Sequence, residues 1–168
     1  LFCLTNPGVK ALQVIFNLFR QKPLEELFPA AKKQGVGILA RVPLASGLLT
    51  GKFSTHTSFA EDDHRNFNAN GEKFNVGETF AGLEFSKGVE LSNKLAWIAE
   101  GRDSMANSAL RWILDQEEVT CAIPGFKNAN QVEDNLKAIQ TKPFSEAELD
   151  RLHAFYVEEV HEFIRGAY

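Results

Sequence analysis

Two short stretches carry residue types suited to holding an anion. In "PLASGLLTGKF" (Pro43–Phe53) small residues expose the backbone, Gly47 lets the chain pass close to a ligand, and Lys52 supplies a cation near its end. Successive N–H groups around Ser46–Leu48 can point at phosphate oxygens. The spacing excludes a Walker phosphate loop. Gly47 and Gly51 are one residue too close for G-x-x-x-x-G-K, and Phe53 stands where Ser or Thr must reach magnesium. On residue types alone, a phosphate-binding loop and a merely structural turn both stay open.

The second stretch, "AIPGFKNANQVEDN" (Ala122–Asn135), ends an apolar run with Pro124-Gly125 and offers Lys127 and Asn128 just before a helical pattern. A helix start concentrates unpaired N–H groups and positive potential, to which Lys127 adds a full charge. Gln131, Asp134 and Asn135 lie three to four residues apart, the spacing of one helix face. Helix capping by Asn128 is a purely structural account of part of this pattern. Other chemical residues form no constellation. His56 and His64 fall in a loop pattern, and His153 and His161 lie two helical turns apart, so all four read as surface or packing histidines. Tyr156 and Tyr168 have no Lys or Asp partners placed by pattern, and "EDDHR" (Glu61–Arg65) reads as a salt-bridged turn rather than a metal site. No catalytic residue and no metal ligand is assigned.

The elements that must position the two stretches follow from hydrophobic patterning. Three runs, Ala11–Phe19, Val36–Val42 and Val119–Ile123, are rich in Val, Ile, Leu or Phe without clean alternation, as in parallel strands covered on both faces. Helical patterns separate or follow them. Pro23–Gly35 is one, with Pro29 kinking or shortening its first turn. Gly88–Gly101 and Asp103–Gln116 are two more, the latter N-capped by Asp103, and Asn128–Ile139 follows the third strand. A last helix opens on the capping box Ser145-x-x-Glu148 and runs to Ile164. Ser54–Ser86 fits neither period, and a loop of that length is often a lid or binding loop. Alternation of strands with helices means an α/β fold with a parallel sheet.

Composition narrows the class. A hydrophobic fraction of 44% with fourteen Phe argues against disorder, and 168 residues suffice for one domain. A net charge of −4 gives no general reason to expect nucleic acid. No apolar run is long enough to span a bilayer, and no signal-peptide layout opens the chain. Cys3 and Cys121 sit in apolar surroundings and read as buried thiols of a reducing cytoplasm. The start at Leu1, with "LFCL" followed at once by "TNPG", reads as a segment cut from something larger.

Together, "QVIFN", "RVPLASGLLTGKF", "DDHR", "ALRWIL" and "IPGFKNANQVEDNL" resemble, in order, the later half of the aldo-keto reductase family. The resemblance implies that residues 1–168 are the C-terminal portion of a (β/α)8 TIM barrel, with the three strands its sixth, seventh and eighth. It implies a nicotinamide cofactor, NADP (NADPH), bound without a Rossmann motif. Gln13 matches the position that hydrogen-bonds the nicotinamide carboxamide. Arg41 stands where many members stack an aromatic ring on the nicotinamide, and its planar guanidinium suits stacking or a pyrophosphate contact. Pro43, Leu44, Ser46, Gly47 and Leu48 match the loop around the pyrophosphate, with Lys52 following. Gly125, Lys127, Gln131, Asp134 and Asn135 match the adenosine end, Lys127 suiting a 2′-phosphate and Asp134 and Asn135 the adenine.

The family's catalytic Asp, Tyr, Lys and His come from its first four strands, so by the resemblance this chain holds most of the cofactor-binding half without the catalytic residues. The implied reaction of a complete protein is hydride transfer to an aldehyde or ketone, and the isolated chain is expected to be inactive. A non-catalytic dinucleotide-binding module, or an inactive fragment that folds by self-association, is the alternative. The expected partners are a small carbonyl substrate and either the missing N-terminal half or a second copy of the chain. No nucleic acid or membrane is expected.

Overall fold

The computed structural model describes residues 1–166, so Tyr168 lies outside the described residues. Three strands, β1 (Ala11–Ile15), β2 (Gly37–Arg41) and β3 (Val119–Ile123), form one sheet with β2 in the middle, and both pairings are parallel. Parallel neighbours require crossovers. The first carries α1 (Leu27–Lys33), and the second carries α2 (His64–Phe67), α3 (Phe85–Lys94) and α4 (Met105–Leu114). After β3 come α5 (Ala129–Leu136) and α6 (Glu146–Phe155).

Register decides which residues share a face. Leu12 lies opposite Ile38, and Val14 and Ala122 both lie opposite Ala40. Ile38 and Ala40 are fully buried, and α1 and α4 pack on this side of the sheet. The Phe16 ring sits 4.7 Å from Phe28 and 5.0 Å from Trp112, joining the sheet's end to both helices. The opposite face carries the rows Gln13–Leu39–Cys121 and Ile15–Arg41–Ile123 and is open. Burial on both faces, expected from the unbroken apolar runs, therefore holds for no strand. A five-residue strand with one covered face needs only alternate apolar residues, and Ile123 is left 42% exposed. Cys3 and Cys121 are exposed, not buried. Cys121 points to the open face of an outer strand, and Cys3 lies in a short exposed turn, Phe2–Thr5.

Other boundaries move for local reasons. β1 stops at Ile15 because Asn17 builds a tight turn: its Oδ1 accepts from Phe19 N at 2.9 Å, and Arg20 N donates to Asn17 O at 2.8 Å. The residues Phe16, Leu18 and Phe19 are buried there without being strand. The first helix begins at Leu27, with Pro29 in its first turn, and Lys22–Leu24 is a separate 3-10 turn. The cap of α4 is Ser104, whose Oγ accepts from Asn107 N at 3.1 Å; Asp103 instead accepts from Thr141 Oγ1 at 3.4 Å. α3 covers Phe85–Lys94, and Ala96–Ala99 is a 3-10 turn. The Ser145–Glu148 capping box is present, but α6 gives way to a π turn at Tyr156–Val160 and a 3-10 turn at His161–Phe163. The widened turn brings both Tyr156 and Val160 into the core. Among the described residues no helix is long and apolar enough to cross a membrane.

The segment from Gly51 to Glu84 is mostly irregular, as its lack of period predicts, yet parts of it are buried. Asn68 is fully buried and holds it together: Nδ2 donates to Thr79 Oγ1 at 3.0 Å, and Oδ1 accepts from Lys73 N and Phe74 N, each at 2.9 Å. Replacing Asn68 by Ala strands these groups, at about 1–3 kcal/mol for each one left unsatisfied. We expect Asn68→Ala to lower stability by roughly 2–4 kcal/mol in urea unfolding. A loss within about 0.5 kcal/mol, the range of an ordinary surface change, would show that solvent replaces the side chain.

Candidate functional site

The central strand delivers its loop at Arg41. Backbone φ turns positive at Val42 (53°), Ala45 (49°), Ser46 (55°) and Gly47 (103°), folding Pro43–Thr50 back over the strand end. Non-glycine residues adopt such angles at about 1–2 kcal/mol each, so neighbours must hold them. Asn17 Nδ2 donates to Val42 O at 2.9 Å, and Ser92 Oγ of α3 donates to Leu48 O at 2.6 Å. Leu48 and Leu49 are buried, and α3 approaches so closely that a Cβ on Gly88 would lie 2.5 Å from Leu48 Cδ1. Gly47 is required twice over: by its φ, and because a Cβ there would lie 2.7 Å from Phe53 Cζ. Pro43 is buried, Leu44 half-buried and Lys52 exposed.

The irregular crossover covers this loop. Phe53, Phe59, Phe80 and Phe85 form an aromatic cluster with ring centroids 5.0–6.0 Å apart. Arg65 lies over Phe59, 4.4 Å from its centroid, and its Nη1 would stand 3.7 Å from a Cβ on Gly47. Asp63 holds Arg65 with both oxygens, at 2.9 and 2.6 Å, and caps α2 through Arg65 N, the salt-bridged turn expected of "EDDHR". Glu78 pairs with Arg41 and, through its backbone C=O, accepts from Ser46 Oγ at 3.2 Å. Ser46 Oγ in turn accepts from Phe80 N at 3.1 Å. Sequence reasoning did not single out Arg65 or Glu78 as site residues, and nothing in the local pattern around Glu78 marks it.

At the end of β3 the other predicted residues form one loop. Asn128 caps α5 by accepting from Gln131 N at 3.0 Å, while Gln131 Oε1 accepts from Lys127 N at 2.6 Å. Asn135 Nδ2 donates to Gly125 O at 3.4 Å. Gln131 and Asn135 thus face back to the loop, whereas the Asp134 carboxylate pairs with Lys137 at 2.6 Å. Lys137 holds Asp134 below the usual carboxylate range, and the charge of Lys52 adds to the effect. Because β2 and β3 are parallel neighbours, the loops that follow them leave the sheet at the same end. Gln13 and Arg41 lie on the open face of the sheet, where they line a cleft of ≈ 470 Å³ with Ile15, Arg20, Asn75 and Glu78.

Parallel α/β sheets, open or closed into barrels, place ligand-binding loops at the carboxyl ends of their strands, and here the loops after β2 and β3 each carry a lysine. Residues 5–157 match the Aldo/keto reductase family, and the chain belongs to that family. It is 32% identical over 126 residues to L-glyceraldehyde 3-phosphate reductase of Escherichia coli O157:H7, covering 75% of this chain and 35% of that protein. It is 28% identical over 138 residues to aldo-keto reductase yakc [NADP(+)] of Schizosaccharomyces pombe, covering 80% of this chain and 38% of that one. The structure of the glycerol dehydrogenase AKR11B4 from Gluconobacter oxydans superposes with a TM-score of 0.71 at 28% identity. That match covers 94% of this chain and 45% of the dehydrogenase. The chain thus spans less than half the length of each of these relatives, as part of a barrel would.

Asp63 supplies a pH-dependent test of the cover. The side-chain hydrogen bond from Arg65 is the largest influence on its carboxyl, holding it well below the usual range against the opposing effect of burial. A depressed folded value means that the contribution is fully present above the unfolded value, about 3.9, and is lost as pH falls further toward the folded one. The stability gap between the unsubstituted chain and Asp63→Asn should be constant from pH 5 to 7 and narrower at pH 3, by urea unfolding at each pH. A gap independent of pH throughout would remove the Asp63–Arg65 pair from the account.

Proposed function

We propose that the chain is the cofactor-binding part of an NAD(P)H-dependent oxidoreductase that reduces an aldehyde or ketone, with β1, β2 and β3 serving as the sixth, seventh and eighth strands of a (β/α)8 barrel. The observation that carries this reading is that the two lysine-bearing loops, after β2 and after β3, leave adjacent parallel strands at the same end of the sheet. The donor set fits a dinucleotide phosphate. Lys52 and Lys127 are exposed, and each supplies a full positive charge for a charge-assisted contact.

In this reading the loop Pro43, Leu44, Ser46, Gly47 and Leu48 wraps the pyrophosphate, with Arg41 and Lys52 at its two ends. Gln13, exposed on β1, orients the nicotinamide carboxamide. Lys127 receives the 2′-phosphate, and Gly125, Gln131, Asp134 and Asn135 frame the adenosine end. NADPH supplies the hydride, and this chain's residues supply binding, orientation and exclusion of water. The crossover carrying Phe53, Phe59 and Arg65 provides the cover. The proton donor to the carbonyl oxygen comes from the part of the barrel outside these three strands.

Lys127 then sets cofactor preference. One charge-assisted contact is worth about 1.5–3 kcal/mol, roughly ten-fold or more in affinity. Lys127→Ala should lower NADPH affinity by that factor and leave NADH affinity nearly unchanged, in parallel fluorescence titrations of both cofactors. An unchanged NADPH-to-NADH ratio would remove Lys127 from the site.

The outer edges of β1 and β3 need covering, by the remainder of a barrel or by a second copy. Phe126, Leu136 and Ile139, all following β3 in the chain, are 64%, 57% and 62% exposed, and each large apolar group left in water forfeits about 1.5–3 kcal/mol of burial. The 168-residue chain alone should self-associate in sedimentation at micromolar concentration. A monodisperse monomer that unfolds cooperatively would refute the need for a partner.

A further inference from the structure

Two of the groups assigned above to an anionic ligand are already engaged within the chain, and with the same short segment. The Arg41 guanidinium pairs with the Glu78 carboxylate. Ser46 Oγ donates to Glu78 O at 3.2 Å and accepts from Phe80 N at 3.1 Å. Glu78 closes the short turn Val76–Glu78, capped by Asn75, whose Oδ1 accepts from Gly77 N at 2.8 Å. The backbone on both sides of the contact is strained. Val42, Ala45 and Ser46 on one side, and Phe80 (φ 52°) and Ala81 (φ 58°) on the other, are all the non-glycine residues with positive φ among those described. Such angles persist where surrounding contacts hold them, and those between Ser46, Glu78 and Phe80 are among them, beside that of Asn17 with Val42 O.

We infer that Glu78 is an internal competitor for the anionic ligand of the Arg41–Lys52 loop. Its carboxylate takes Nη2 of the guanidinium and its carbonyl takes the Ser46 hydroxyl proton, so a phosphate group that binds these same two donors displaces the 78–81 segment. This rests on the phosphate-binding role proposed for that loop. Glu78 is then an affinity-setting residue, and its segment a strap that opens when the anion enters. The Arg41 and Glu78 side chains are 34% and 21% exposed, so water screens the pair in part and the effect is moderate.

The test uses the 168-residue chain and inorganic pyrophosphate as the probe. In calorimetric titration, Glu78→Gln should bind pyrophosphate about two- to five-fold more tightly than the unsubstituted chain, and Arg41→Gln more weakly. Hydrogen–deuterium exchange supplies a readout that needs no variant: pyrophosphate should speed exchange at the amides of Thr79–Ala81 in the unsubstituted chain. Pyrophosphate binding with exchange at those amides unchanged or slowed, or with Glu78→Gln binding no more tightly, would overturn the competition and leave the phosphate-binding loop standing. Absence of binding to the unsubstituted chain and to Glu78→Gln alike would overturn both.

Discussion

An irregular segment can be buried only if its backbone N–H and C=O groups find partners, and that requirement governs this structure. The stretch from Gly51 to Glu84 has little helix and no strand to satisfy them. Two polar side chains take over. Asn68 gathers three groups of the segment around one amide, and Arg165, arriving from the far end of the chain, donates to Gly82 O, Ala69 O, Leu83 O and Asn70 Oδ1 at 2.9–3.0 Å. A Cβ on Gly82, whose φ is +88°, would lie 2.8 Å from Arg165 O, so the two segments touch backbone to backbone. The π turn that ends the last helix helps aim this tail, since Tyr156 and Val160 anchor it in the core just before Arg165.

The candidate site inherits its shape from that frame. Arg165 fixes Gly82 and Leu83, the next two residues back are strained, and Phe80 N then reaches Ser46 Oγ. From Ser46 and Glu78 the connection passes to Arg41 at the end of the central strand. Positive φ at Val42 is notable because a β-branched residue is the least suited to it. Buried Asn17 holds it, its Nδ2 donating to Val42 O while its Oδ1 accepts from Phe19 N. The loop is therefore shaped by contacts from three distant segments, around residues 17, 80 and 92, together with its own turn bonds such as Gly47 N to Leu44 O and Thr50 Oγ1 to Gly47 O.

The sheet shows the other side of the same physics. Its covered face is packed by aromatic and aliphatic groups from α1 and α4, and its open face carries Gln13, Arg41 and Cys121. The chain belongs to the aldo-keto reductase family and matches 45% of a solved relative, and a sheet covered by helices on one face and open on the other is consistent with part of a barrel.

Much of this was legible in the residues. The central positions of all three strands, the Ser145–Glu148 capping box, the Asn128 cap and the aperiodic character of residues 54–86 follow from local rules, since each depends on neighbours a few positions away. The glycine at 47 and the lysines at 52 and 127 pointed to the two loops for the same reason: backbone freedom and charge are properties of single residues. What the sequence could not express is which face of a strand is covered and which distant side chain reaches a given loop. Cys121 sits in an apolar run yet is exposed, because β3 is an outer strand with an open face. Ser104 rather than Asp103 caps α4, because the Ser104 hydroxyl meets the Asn107 N–H while Asp103 faces Thr141 across the fold. Glu78 stands 37 residues from Arg41, in a segment with no period to place it. Local sequence determined the centres of the elements, the Asn128 and Ser145 caps and the chemical character of the two loops. Strand order, the covered face and the contacts of Arg41, Ser46 and Glu78 were decided by tertiary structure alone, because hydrophobic burial and long-range hydrogen bonding depend on where the chain returns.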